Sequence, residues 1–114
     1  MKTAHFLKKD LSDSQNLATG ELSYTSSTDR KFKLEEVLVH FSVVVTETVT
    51  VTMDSALGAN YDTVLDKGYL VGEQDYVFRP QGECNFQAGD EVKVHCTNAN
   101  LTGIAYMKIK RSEM

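Results

Sequence analysis

The stretch that most restricts what this chain can become is Glu36–Met53, EVLVHFSVVVTETVTVTM. Its odd positions read Val37, Val39, Phe41, Val43, Val45, Glu47, Val49, Val51 and Met53. Its even positions read Glu36, Leu38, His40, Ser42, Val44, Thr46, Thr48, Thr50 and Thr52. Alternation of this kind, in β-branched residues, is the pattern of half-buried strand. The apolar side must be covered, since each large aliphatic side chain left in water forfeits roughly 1.5–3 kcal/mol. A second β-layer drawn from the rest of the chain is the cover available. Eighteen residues are long for one strand in a small sandwich, so a bend is expected near Val44–Glu47.

A chain of 114 residues with 41% hydrophobic side chains is sized for one domain. A net charge of −4 argues against nucleic acid as a partner, which usually requires a basic face. The clusters Lys8–Lys9, Arg30–Lys33 and Lys108–Arg111 read as solvated edges and ends of strands. The longest apolar run, around Val43–Val45, is far shorter than the roughly 18–20 residues that span a bilayer, so no membrane partner is expected. The opening MKTAHFLKKDLSD has no continuous apolar segment of the signal-peptide kind, so the expected place of synthesis is the cytoplasm. Cys84 and Cys96 fit that compartment as free thiols, with a disulfide closing a short loop as the alternative.

The expected organisation has two parts. Residues 1–31 form a polar amino-terminal arm, with Asn16–Ser26 as a possible outer strand and Gly20 as its bulge or turn. The first dozen residues are either an arm that orders on a neighbouring subunit or a disordered terminus. Residues 32–114 form the sandwich. Its strands are expected at Phe32–Ser42 and Thr48–Asp54, then at Tyr61–Asp66 and Tyr69–Val71 with Asp66–Lys67–Gly68 as the break between them. Tyr76–Phe78 follows, ended near Pro80, and Gln81–Gly89 reads as a connecting loop. Glu91–Thr97 should place Val92, Val94 and Cys96 inward and Lys93, His95 and Thr97 outward. Asn98–Gly103 reads as a hairpin loop before the last strand, Ile104–Arg111. No helical period runs through ten or more residues. The fold class expected is all-β: a jelly-roll-like β-sandwich of about seven or eight antiparallel strands.

Chemistry-bearing residues are few and scattered. His5, His40 and His95 lack zinc-ligand spacing, and His95 and the adjacent Cys96 point to opposite faces of a strand. His40 and His95 both fall on polar strand faces, where they could pair across a sheet. Asp54, Asp62, Asp66, Asp75 and Asp90 lie at turns, where Asp bonds to nearby backbone by default; none sits in a calcium-loop pattern. No Gly-x-Ser-x-Gly motif is present, and the glycines at 20, 58, 68, 72, 82, 89 and 103 are isolated. Catalytic, cofactor-binding and metal-binding residues are therefore assigned to none, and no enzymatic activity is expected. Tyr24, Tyr61, Tyr69, Tyr76 and Tyr106, with Phe78 and Phe86, are the side chains available to fill a sandwich without tryptophan, with one or two tyrosines left for an interface.

Two segments carry a resemblance. VTVTMDSALGANYDTVL at 49–65 and YVFRPQGECNFQAGDEVKVHCTNANLTGIAYMKIK at 76–110 resemble a frame found in small virion-associated proteins of tailed bacteriophages and prophages. The matching residues are Asp54, Ser55, Gly58, Tyr61–Leu65, Gly89–Asp90, Val92, Val94, Thr97–Asn98 and Gly103, within roughly residues 33–111. The resemblance implies a head-decoration or cement protein: a jelly-roll-like module that sits on the capsid as a dimer or trimer, contacts neighbouring shell subunits and resides in the virion. A small carbohydrate- or ligand-binding sandwich module is the alternative expectation.

Overall fold

A computed structural model of the chain describes residues 7–113. His5 and the rest of the first six residues lie outside that range. Nine strands occur among the described residues: β1 Leu7–Asn16, β2 Leu22–Ser27, β3 Phe32–Val45, β4 Thr48–Asp54, β5 Thr63–Tyr69, β6 Glu73–Phe78, β7 Cys84–Phe86, β8 Glu91–Cys96 and β9 Ile104–Glu113. A single 3₁₀ turn at Ala59–Tyr61 precedes β5.

The strands form two antiparallel sheets. The first runs β1-β9-β3-β6, with β7 also paired to β3; the second runs β2-β8-β4-β5. Every connection among the first six strands, other than the stay within one sheet at β4–β5, passes from one sheet to the other. Two four-stranded sheets interleaved in this order, with the first and last strands side by side, are the double Greek key of a jelly roll. β7 is a short extra strand on the flank of β3 that β6 leaves free.

The stretch Glu36–Met53 explains the layering. The ladder of β3 ends at Val45 and β4 begins at Thr48, so the expected bend is the step from the first sheet to the second. Val37, Val39, Phe41 and Val45 on one side of that step, and Val49 and Val51 on the other, are all buried in the space between the sheets. Cys96, Val92, Val94, Met107 and Ile109 meet them from β8 and β9. At the start of β3 the buried side chains are instead Phe32 and Leu34, at even positions. A β-bulge between Leu34 and Glu36 inserts one unpaired residue and changes the parity.

Four expectations require correction. Leu7–Asn16 is not an arm awaiting another subunit: it pairs along its whole length with β9, and with β2 it gives each sheet an edge strand, so the division at residue 31 is not kept. Edge strands need few apolar residues, which is why their signal is weak. Tyr61–Val71 is not broken at Asp66–Lys67–Gly68, because β5 is continuous through them and carries a bulge at Leu65. Gly68 is there for space: a Cβ on it would stand 2.6 Å from Cε1 of Tyr76, whose ring comes across from the other sheet. The loop at 81–89 contains β7. Asn98–Gly103 joins β8 in one sheet to β9 in the other and is therefore not a hairpin loop.

Candidate functional site

Jelly-roll topology brings the β1–β2, β3–β4, β5–β6 and β8–β9 connections to one end of the sandwich, and in this chain they are tied together. Glu47, in the two-residue link between β3 and β4, is only 4% exposed. Its carboxylate accepts the Thr97 hydroxyl at 2.8 Å, the Ala99 N–H at 2.9 Å and the Asn100 N–H at 3.0 Å. The Glu47 carbonyl accepts the Leu70 N–H at 2.8 Å, which fixes the β5–β6 turn. The same turn is held by the Gly72 N–H on Thr46 Oγ1. The β1–β2 connection joins through the Leu17 N–H on the Gly103 carbonyl at 2.9 Å and the Asn98 amide on the Leu17 carbonyl at 3.2 Å. Buried polar groups are tolerated when partnered in this way, and together they fix a single loop arrangement.

Around this polar knot stand apolar side chains left in water. Val44, Tyr69, Val71 and Leu101 are 60%, 69%, 72% and 61% exposed. Leu101 is held at φ 51°, a conformation that costs a branched side chain energy and persists because the loop is anchored on both sides. Tyr69, Leu70 and Val71 line a shallow cleft of about 360 Å³ with Thr46, Thr48, Thr97 and Ala99. Exposed hydrophobic groups gathered on a rigid end are the mark of an interaction surface.

The residues considered for chemistry lie elsewhere and apart. His40 Nδ1 is 2.7 Å from Oδ1 of Asp75, a cross-strand pair on the exposed face of the first sheet. His95 Nε2 lies 3.3 Å from Glu21 Oε2 on the second sheet. The two histidines therefore do not pair across one sheet, since β3 and β8 belong to different layers. Asp54 meets Lys93 at 2.8 Å; this hydrogen bond holds the carboxyl below its ordinary range and pushes the ammonium up. Asp62 accepts the Ser55 N–H, Asp90 accepts the N–H groups of Ala56 and Gln87, and Asp66 accepts the Tyr76 hydroxyl at 2.5 Å. Among the described residues no three His, Cys, Asp or Glu side chains converge as a metal site.

Both cysteines are free. Burial, with the negative charges of Glu47 and Glu21 nearby, pushes the Cys96 thiol up to about 12. Burial also raises Cys84. Among the aromatics, Tyr76 and Phe86 are core residues, while Tyr61, Tyr69 and Tyr106 are exposed. Sequence reasoning passed over Glu47. The available signal was its position: the one acidic residue on the apolar side of the alternation from Val37 to Met53.

No protein-family model matches the chain, and no curated protein does. Among solved structures, PirA aligns over 96% of this chain and 94% of its own, with a TM-score of 0.48 and 11% sequence identity.

Proposed function

We propose that this protein is a non-enzymatic structural component of a phage or prophage particle, a capsid decoration or cement protein that self-associates and binds neighbouring virion subunits. The observation that supports this reading best is the tied loop end with Val44, Tyr69, Val71 and Leu101 exposed on it. A preorganised apolar end binds a protein partner with little ordering cost. The jelly roll is an architecture of viral shell proteins, a likeness of fold that adds to the reading by analogy only. The phage-like frame in residues 33–111 points the same way.

The test is co-sedimentation with empty heads purified from the phage or prophage that encodes the chain. Wild-type protein pellets with the heads, and a Tyr69→Ser, Val71→Ser, Leu101→Ser variant binds about tenfold or more weakly with an unchanged melting temperature. Protein that stays in the supernatant at all concentrations overturns the proposal. The cleft beside Tyr69 supports the second reading, a carbohydrate-binding module. On that reading a glycan array gives a defined hit that Tyr69→Ala removes.

A further inference from the structure

The first sheet ends in β1, whose ten residues pair with β9 on one side and, among the described residues, with no strand on the other. A long open edge invites strand addition, and charges placed on it decide which strands are admitted. On β1 those charges divide into two kinds. Lys8 and Asp10 are satisfied within the chain, Lys8 by Glu35 at 2.7 Å and Asp10 by Lys108 at 3.9 Å. Lys9 and Asp13 make no ion pair among the described residues, and both are exposed. They share the face of the strand that carries Leu11, which packs against the core.

We propose that β1 is the dimerisation edge, adding antiparallel to β1 of a second copy about a two-fold axis at Leu11. Only alternate residues of an edge strand turn their N–H and C=O groups outward, so residues facing each other across the axis must have the same parity. That leaves a few registers. Centring on Asp10 opposes the two Asp10 carboxylates. Centring on Lys9 opposes two lysines and shortens the described overlap to Leu7–Leu11. Centring on Ser12 opposes no unlike charges. Centring on Leu11 sets Lys9 against Asp13 twice, Asp10 against Ser12 twice, Lys8 against Ser14 twice and Leu11 against itself, with no like charges opposed. Unlike charges directly opposite stabilise a pair of strands and like charges weaken it. The charges left without an ion pair among the described residues of one copy are thus complementary in two.

This inference deepens the self-association in the proposed function, and it is tested separately from capsid binding. Light scattering across a concentration series reads the dimer. K9E and D13K each weaken it about tenfold or more, because each sets like charges opposite one another twice. The exchanged variant K9D/D13K regains the wild-type constant within about threefold. In a C84S background, L11C gives a disulfide-linked dimer on a non-reducing gel and S12C does not, since only the residue on the axis meets its own copy. Circular dichroism verifies that each variant is folded. A monomer at every concentration, a dimer indifferent to both reversals, or an exchange that fails to restore it overturns the proposal. A monomer that still pellets with heads removes the dimer edge and leaves the decoration reading; a β1 dimer that ignores heads does the reverse.

Discussion

The Arg111 guanidinium lies 5.0 Å from the centroid of the Phe32 ring, which is itself stacked at 4.5 Å on Phe86. Arg111 reaches this place from β9 with its charge balanced by Glu113 at 2.8 Å and one N–H donated to Ser26 of the other sheet at 3.0 Å. It therefore joins the two layers at the end remote from Glu47. A buried pair of this kind contributes little net stability, but removing one member leaves a charge without its counterion. Glu113→Ala is expected to lower unfolding stability by about 3 kcal/mol, whereas the apolar exchange of both residues, Arg111→Met with Glu113→Leu, stays within about 1.5 kcal/mol of wild type. Urea titration of the three proteins checks the order.

Glu47→Ala removes an acceptor shared by three donors. The cost is about 2–4 kcal/mol, less than the sum of three charged hydrogen bonds because Ala99 and Asn100 lie at the surface and regain water. Amide exchange at Ala99 and Asn100 should accelerate in the variant while that of β3 and β9 moves only with the global stability.

Gly68→Ala tests the close approach between the sheets. The added methyl would stand 2.6 Å from the Tyr76 ring, so the ring must move and its hydrogen bond to Asp66 lengthens. The expected loss is about 1–3 kcal/mol. In the double variant with Tyr76→Ala the glycine substitution should cost less than it does alone, as a double-mutant cycle will show.

Stability should fall in alkali. Cys96, Cys84 and Tyr76 all have raised values in the folded chain, through burial and, for Tyr76, its bond to Asp66. A folded state that keeps protons the unfolded chain releases is favoured in full below the ordinary thiol value of 9.0 and loses that advantage as pH rises toward about 12. Urea unfolding at about pH 7.5 and about pH 10 should show the decline, and Cys96→Ala should reduce it. Ellman's reagent should label Cys96 only after unfolding.

What was legible in the sequence was whatever periodicity controls. Val92, Val94 and Cys96 face inward as alternation requires, and the step between β3 and β4 falls where strand length demanded one. What was not legible depended on partners distant in the chain. β1 carries one core-directed leucine, Leu11, and owes its place to β9, about a hundred residues away. Gly68 looked like turn chemistry because nothing local reveals a tyrosine arriving from the other sheet. Of the candidate site, Tyr69 was within the set weighed for an interface, but Val44, Val71 and Leu101 were not, since exposure of single aliphatic residues is decided by loop placement. Glu47 was an exception to a pattern, and exceptions on an apolar face mark places to examine first.

The extra residue in β3 sets a rule of length for this fold. Downstream of Glu35, Val37, Val39, Phe41 and Val45 are inside at odd numbers; upstream, Phe32 and Leu34 are inside at even numbers. Deleting that one residue would turn Phe32 and Leu34 to solvent and drive Lys33 into the space beneath Arg111, so the longest strand of the sandwich is counted from both ends and admits no net gain or loss.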